Sequence, residues 1–287
     1  MKIIILPFFL LLALSVVAQP TALDVMTFNI RFDNPGDGFN AWPHRKELVK
    51  SMIQYHEADI IGLQEALRSQ MDDLVAMLPE YEWFGVCRTD GTTTPDPDNE
   101  FSAILYRKDR LERLDGATFW LSETPEVPGS KSWDAAITRI VTWAKFRDRQ
   151  TNKTFFHFNT HFDHVGTQAR AESAKIILDR MTAIAGEAPV IFTGDFNCTE
   201  AETPYRIVTD TANPRHLRDA MYASRLPHHG PLSTWTAFTF PGVPGRRIDF
   251  IFVNQQVEVL KHAILAESWS GRFPSDHLPV LARLSIQ

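Results

Sequence analysis

Eight polar residues stand in or just after short apolar runs along this chain: Asn29, Glu65, His161, Asp195, Asn197, Asp249, Asp276 and His277. The most informative of these positions is Gly194-Asp195-Phe196-Asn197, which follows the apolar run Pro189-Val190-Ile191-Phe192. A buried strand is expected to end where a carboxylate and a carboxamide begin. Side chains alternate along an extended chain, so Asp195 and Asn197 are expected to point the same way, with Phe196 opposed. Two hard oxygen donors at a strand end suit a Mg²⁺-type ion or a water nucleophile. Each residue also has an ordinary reading. Gly, Asp and Asn are turn formers. Asn29 could cap a turn, and Glu65 the helix that follows it. His161 and His164 could be surface histidines, Asp249 could pair with Arg246 or Arg247, and Asp276 and His277 could merely begin the last strand. The recurrence of the pattern, more than any single member, points to chemistry.

The elements that must position these groups alternate along the chain. Strands are expected at 23–28, 58–64, 83–87, 101–106, 117–121, 137–146, 154–160, around Val190, and at 248–253, 257–265 and 280–286. Helices are expected at 42–55, 69–78 (closed by Pro79) and 167–185. Residues 90–99 read as an exposed loop by composition. The mixture suggests packed sheets with helices outside.

The chain has 287 residues and 44% hydrophobic content, enough for one large domain with a core. Residues 1–18 differ from the rest. Lys2 gives a basic start, Ile3 to Val17 is almost wholly apolar, and Val16-Val17-Ala18 supplies small residues. That pattern predicts a signal peptide cleaved after Ala18, a mature domain over 19–287, and a secreted or periplasmic protein. The apolar run is shorter than the ~20 residues of a spanning helix, and no Cys follows it to carry a lipid anchor. Loss of Lys2 from 29 basic residues leaves 28 against 35 acidic ones, a formal charge of −7. Such a chain has no global attraction to a polyanion, so nucleic acid is not the favoured partner. The basic clusters at 107–110 and 246–247 read as solvated faces. Cys87 and Cys198 are too few for a disulfide scaffold and read as buried thiols, with a bridge between them left open.

Thr27-Phe28-Asn29, Leu63-Gln64-Glu65, Asn159-Thr160-His161, Gly194-Asp195-Phe196-Asn197, Arg247-Ile248-Asp249-Phe250-Ile251 and Ser275-Asp276-His277-Leu278-Pro279 occur in that order. In that ordered set the chain resembles the endonuclease/exonuclease/phosphatase superfamily, which includes pancreatic-type deoxyribonucleases, abasic-site endonucleases, sphingomyelinases and inositol polyphosphate 5-phosphatases. The resemblance implies a four-layer α/β sandwich, two packed mixed β-sheets flanked by helices. It implies that Asn29 and Glu65 hold Mg²⁺ or Mn²⁺, with Asp276 in or beside the metal site. Asp195 and Asn197 would orient the attacking water and the phosphate, and Asp195 would take the proton. Asp249 would fix and polarise His277. His161 matches the histidine of the deoxyribonuclease and sphingomyelinase branches, Glu100 a glutamate that pairs with it, and Arg139 a strand arginine that contacts phosphate. Arg31 stands where abasic-site enzymes carry an acidic residue, which argues against that branch.

These roles make physical sense for a phosphoester. Attack builds negative charge on phosphoryl oxygens, so positioning and charge stabilisation dominate. Oxygen ligands favour Mg²⁺ or Mn²⁺ over zinc. A histidine held by a carboxylate keeps one tautomer and gains basicity. The expectation is a monomeric, secreted metal-dependent phosphoesterase acting on a phosphodiester or phosphomonoester. The acidic mature chain favours a small or surface-attached sugar, inositol or lipid headgroup ester. Trp133, Trp235 and Trp269 could stack on a ring, though partial core is an equal reading. The alternatives are an extracellular nuclease and, less favoured, a binding module without activity.

Overall fold

A computed structural model describes residues 22–94, 99–239 and 242–287. The expected leader at 1–18 and positions 95–98 of the loop lie outside the described residues. Two six-stranded mixed sheets face one another. The first runs β13 (Val257–Ile264), β14 (Val280–Ile286), β1 (Leu23–Asn29), β2 (Ile60–Gln64), β6 (Ile104–Arg107), β4 (Tyr81–Phe84). The second runs β11 (Arg218–Asp219), β12 (Asp249–Val253), β10 (Val190–Asp195), β9 (Thr154–His161), β8 (Ile140–Asp148), β7 (Leu111–Trp120). A short pair, β3 (Ala66–Leu67) and β5 (Glu100–Phe101), closes one edge. Only β1–β2 and β9–β10 are parallel, and these central strands carry the polar ends.

Three apolar clusters explain the layering. Leu23, Val25, Ile60, Ile191, Ile251 and Val253 form the core between the sheets. Met26, Phe28, Ile61 and Leu63 pack outward on α1 (Trp42–His56) and α2 (Arg68–Met77). Phe158, Phe192, Phe250 and Phe252 pack outward on α3 (Thr167–Ala185) and α4 (Thr203–Thr209). The result is helix, sheet, sheet, helix.

Strand alternation then sorts the polar residues. The inward series of β1 is Leu23, Val25, Thr27, Asn29; that of β9 is Phe155, His157, Asn159, His161; that of β10 is Ile191, Thr193, Asp195. Each inner face changes from apolar to polar as it approaches one end of the sandwich, reaching Asn29, His161 and Asp195 there. In the middle tier, Gln64 Nε2 donates to Asn159 Oδ1 (2.7 Å), and Asn159 Nδ2 donates to the carbonyls of Leu63 (2.8 Å) and Ala103 (2.9 Å). These buried bonds tie the sheets together just beneath the ionisable end.

Some boundaries differ from the sequence expectation. The strand expected from 137 begins at Ile140, because the Ala136 and Ile137 N–H groups donate to the Asp163 carboxylate and not to a neighbouring strand. The 3₁₀ helix Pro35–Asn40, α4 and α5 (Ala220–Ala223) were not anticipated; they are too short for a clear helical period. Asn99, the end of the expected exposed loop, is buried. Arg247 and Arg110 are not on solvated faces. Both are buried, Arg247 against Asp219 and Glu200 and Arg110 against Asp148. Cys87 and Cys198 are buried free thiols in separate clusters. No helix among the described residues is long and apolar enough to cross a membrane.

Candidate active site

The inner faces of the two sheets meet through Asn29 and Asp195. Asn29 Nδ2 donates to Asp195 Oδ2 (3.0 Å) and to Glu65 Oε1 (3.1 Å), while its Oδ1 accepts from the Arg31 N–H (3.0 Å). Two carboxylates and one backbone donor fix which way the amide faces. In this arrangement the Asn29 oxygen, expected from sequence to face a metal, accepts from the backbone, and its nitrogen bridges two acids.

Asp195 ends β10, but Asn197 has φ +46° and is not extended. The expected same-side alternation does not apply to this pair. Instead the Asn197 N–H donates to Asp195 Oδ1 (2.9 Å), and the Asn197 side chain donates to Phe162 O (3.0 Å) and contacts His161 Nε2 (2.9 Å). Phe196 does serve as the anchor, fully buried among Phe162, Phe192, Phe250 and Phe252. Glu65 (φ +59°) and Arg31 (φ +54°) are also left-handed, so three non-glycine residues with strained backbones cluster here.

Asp249 begins β12 opposite Asp195, and its Oδ2 lies 2.8 Å from His277 Nδ1. His277 Nε2 lies 3.8 Å from Asp195 Oδ2. Burial opposes a charge on His277, but Asp249 and Asp195 outweigh it and raise its pKa well above the ordinary histidine range. Burial, reinforced by Asp249, pushes Asp195 up to about 7, against the opposing pull of His277. A carboxylate near neutrality beside a cationic imidazole is a matched base and donor.

His161 behaves oppositely. Burial, with Arg139 and Arg88 nearby, lowers its pKa well below the usual value. Its Nε2 lies 2.9 Å from Asn197 Nδ2 and 3.4 Å from Asp195 Oδ2. The expected His161–Glu100 pair is not made; Glu100 is instead ion-paired to Arg88, which is the stronger partner for a buried carboxylate. Burial raises the Glu100 pKa in spite of Arg88. Arg139 is buried, its Nη2 lies 3.2 Å from His164 Nδ1, and its Nε has no hydrogen-bond partner.

These groups line a cleft of about 360 Å³. Its walls include Glu65, Glu100, Arg139, His161, Asp195, Asn197, Asp276 and His277. Asn29 and Asp249 support the wall from behind. Arg31, Phe32, His164 and Arg246 also line it and were not assigned to the site from sequence. Arg246 lies over the Trp235 ring at 5.1 Å, and Trp235 pairs through its backbone with His277. Of the three candidate tryptophans, Trp235 alone is in the lining, while Trp269 packs on an outer core. Arg45, from α1, donates to the carbonyls of Ile30, Arg31, Phe32 and Pro274, clamping the turn after Asn29 to the segment before Asp276. Spacing alone could not have revealed it.

Glu65 and Asp276 are the carboxylates that suit a divalent cation. Burial raises the Asp276 pKa, His277 lowers it, and the Glu65 charge raises it again. A hard cation beside Asp276 would offset the Glu65 charge that acts on it. Asp195, Asp249 and His277 also bring ligand-type atoms within 4.8 Å. There the imidazole hydrogen-bonds Asp249 through Nδ1 (2.8 Å) and stands 3.8 Å from Asp195, close enough for charge attraction and too far for a hydrogen bond.

Comparison with known proteins agrees with this geometry. The model of the Endonuclease/Exonuclease/phosphatase family matches residues 26–277. A family structure from Bacteroides vulgatus is 44% identical, covers 93% of this chain and 100% of its own, and superposes with a TM-score of 0.87. A mannosyl-6-phosphatase from Bacteroides thetaiotaomicron is 34% identical, covering 91% of this chain and 99% of its own, with a TM-score of 0.82. Nocturnin of Drosophila melanogaster is 25% identical over 288 residues, 85% of this chain and 42% of its own length. The chain spans 59% and 32% of two matching mimivirus proteins, less than two thirds of the length of either. The chain belongs to the endonuclease/exonuclease/phosphatase family, whose members hydrolyse phosphoesters.

Proposed function

We propose that this chain is an exported, Mg²⁺- or Mn²⁺-dependent phosphoesterase that hydrolyses a small, sugar-type phosphoester by in-line attack of water. The observation that carries this reading is the line Asp249–His277–Asp195, with separations of 2.8 and 3.8 Å, at one polar cleft. Asp195 is the acceptor for the proton of the attacking water, with Asn29 and the Asn197 N–H fixing its two oxygens. His277 donates to a phosphoryl oxygen as charge develops, and Asp249 holds its ring. Arg139 offers fixed positive charge and free N–H donors to the phosphate. His161, neutral, fixes the Asn197 side chain beside the phosphate. Glu65 and Asp276 would hold the cation, which when bound supplies Lewis acidity.

A cleft of about 360 Å³ suits a monosaccharide ester better than a polymer. The mannosyl-6-phosphatase at 34% identity supports the sugar class. The formal charge of −7 after loss of Lys2 weighs against a nuclease. Export as a monomeric domain over 19–287 rests on the leader pattern of residues 1–18. The test is a panel of mannose 6-phosphate, nitrophenyl phosphate, bis-(nitrophenyl) phosphate, plasmid DNA and RNA, each with Mg²⁺ or Mn²⁺. Turnover of the sugar ester above all others is expected; degradation of nucleic acid alone would replace this reading with the nuclease.

A further inference from the structure

Asp163 stands two residues beyond His161 and only 2% exposed, behind the cleft wall. An ionised carboxylate has about four lone-pair sites. All four are filled by backbone donors. Oδ1 accepts from Val165 N (2.9 Å) and Gly166 N (2.7 Å), and Oδ2 from Ala136 N (3.0 Å) and Ile137 N (3.1 Å). Arg139 Nε lies 3.9 Å from Oδ2, near enough for charge attraction and too far for a hydrogen bond. The same Nε is buried without any hydrogen-bond partner.

This arrangement is unusual for a buried arginine and carboxylate, which ordinarily join in a two-pronged bond that uses up the guanidinium donors. Here the acid is saturated before the arginine reaches it. The arginine is left charge-balanced but short of acceptors, which suits it to an incoming phosphoryl group. The acid also ties the 136–137 segment to the 163–166 turn. Arg139 and His164, which flank that junction in sequence, are thereby held on one wall and meet at 3.2 Å.

We propose that Asp163 is a positioning residue for phosphate binding, holding Arg139 in place by charge and backbone docking without occupying its guanidinium in a two-pronged bond. The inference rests on the role given to Arg139 in the proposed function. It is tested by a double-mutant cycle on the full chain. Asp163→Asn, Arg139→Ala and the double variant are compared by competitive inhibition with inorganic phosphate and by kcat/KM on nitrophenyl phosphate. Arg139→Ala is expected to weaken phosphate inhibition about 30-fold and Asp163→Asn about 10-fold, with KM rising more than kcat falls. The double variant is expected to be no worse than Arg139→Ala alone, a coupling that a merely structural role for Asp163 would not produce. Losses that multiply overturn the Asp163 inference and leave the Arg139 role standing. Wild-type phosphate inhibition in Arg139→Ala overturns the Arg139 role itself. If Asp163→Asn does not fold, Arg139→Lys decides. It keeps the charge and removes the free Nε, so phosphate inhibition should weaken about tenfold at an unchanged melting temperature. Inhibition equal to wild type overturns the proposal.

Discussion

Replacing Asp249 with asparagine isolates the charge that sustains His277. The Nδ1–Oδ2 contact is 2.8 Å and both side chains are buried. Unit charges at that separation attract by about 6 kcal/mol at an effective dielectric near 20. Asparagine keeps an oxygen for the Nδ1 proton, and Asp195 still faces Nε2 at 3.8 Å. Those contacts preserve roughly half of the gross attraction, which leaves a loss of about 3 kcal/mol. Felt mainly where charge develops on the phosphoryl oxygens, that loss lowers kcat about 100-fold and KM changes less. The assay is steady-state hydrolysis of a nitrophenyl ester at saturating Mg²⁺, with thermal unfolding as the check that the variant is folded. A folded Asp249→Asn enzyme with kcat within threefold of wild type would refute the view that the Asp249 charge holds His277 in its working state.

Other perturbations address the frame and the cation. Gly62 faces the second sheet, where an added methyl collides with Thr193 Oγ1 and Asn159 Oδ1; Gly62→Ala should cost about 3 kcal/mol and ~10 °C in melting temperature, read by calorimetry. A chelator should abolish turnover and either Mg²⁺ or Mn²⁺ restore it, while Glu65→Gln should raise the metal concentration needed for half-activity at least tenfold; full activity in excess chelator removes the cation from the mechanism. Burial lowers both His157 and His262 to about 3, so between that value and the unfolded value near 6.5 the unfolded chain binds more protons. Their stabilising contribution is thus complete above about pH 6.5 and declines as pH falls toward 3, by about 1.4 kcal/mol per pH unit for each. Denaturant titrations from pH 7 to 4 should show that slope, and His157→Gln should remove about half of it.

Much of the site could be read from the sequence because strand alternation and strand ends are local properties. Leu23, Val25, Thr27 and Asn29 share one face for the same reason that Ile191, Thr193 and Asp195 do, and the polar member falls at the strand terminus in each case. What the pattern could not carry was the pairing of groups far apart in the chain. Glu100 is closer in sequence to Arg88 than to His161, and it takes the cation. Asn29 stands at a strand end that the sequence shows, yet which atom it presents depends on Glu65, Asp195 and the Arg31 N–H together. Arg247 looked solvated beside Arg246, but alternation turned it inward to Asp219 and left Arg246 over Trp235. The load on Asp163 shows only in the docking of Ala136 and Ile137 on its carboxylate. Helices of four to seven residues, such as α4 and α5, give too few turns for a period to stand out.

The central claim is that Asp195 activates water in a metal-assisted phosphoester hydrolysis. Asp195→Asn keeps the shape and the Asn197 N–H bond to an oxygen while removing the proton acceptor. The most direct measurement is single-turnover hydrolysis of mannose 6-phosphate by wild type and Asp195→Asn at saturating Mg²⁺, with phosphate release followed in time. The account predicts retained substrate binding and a hydrolytic rate lower by at least about 10³-fold in the variant. Release at the wild-type rate would contradict it.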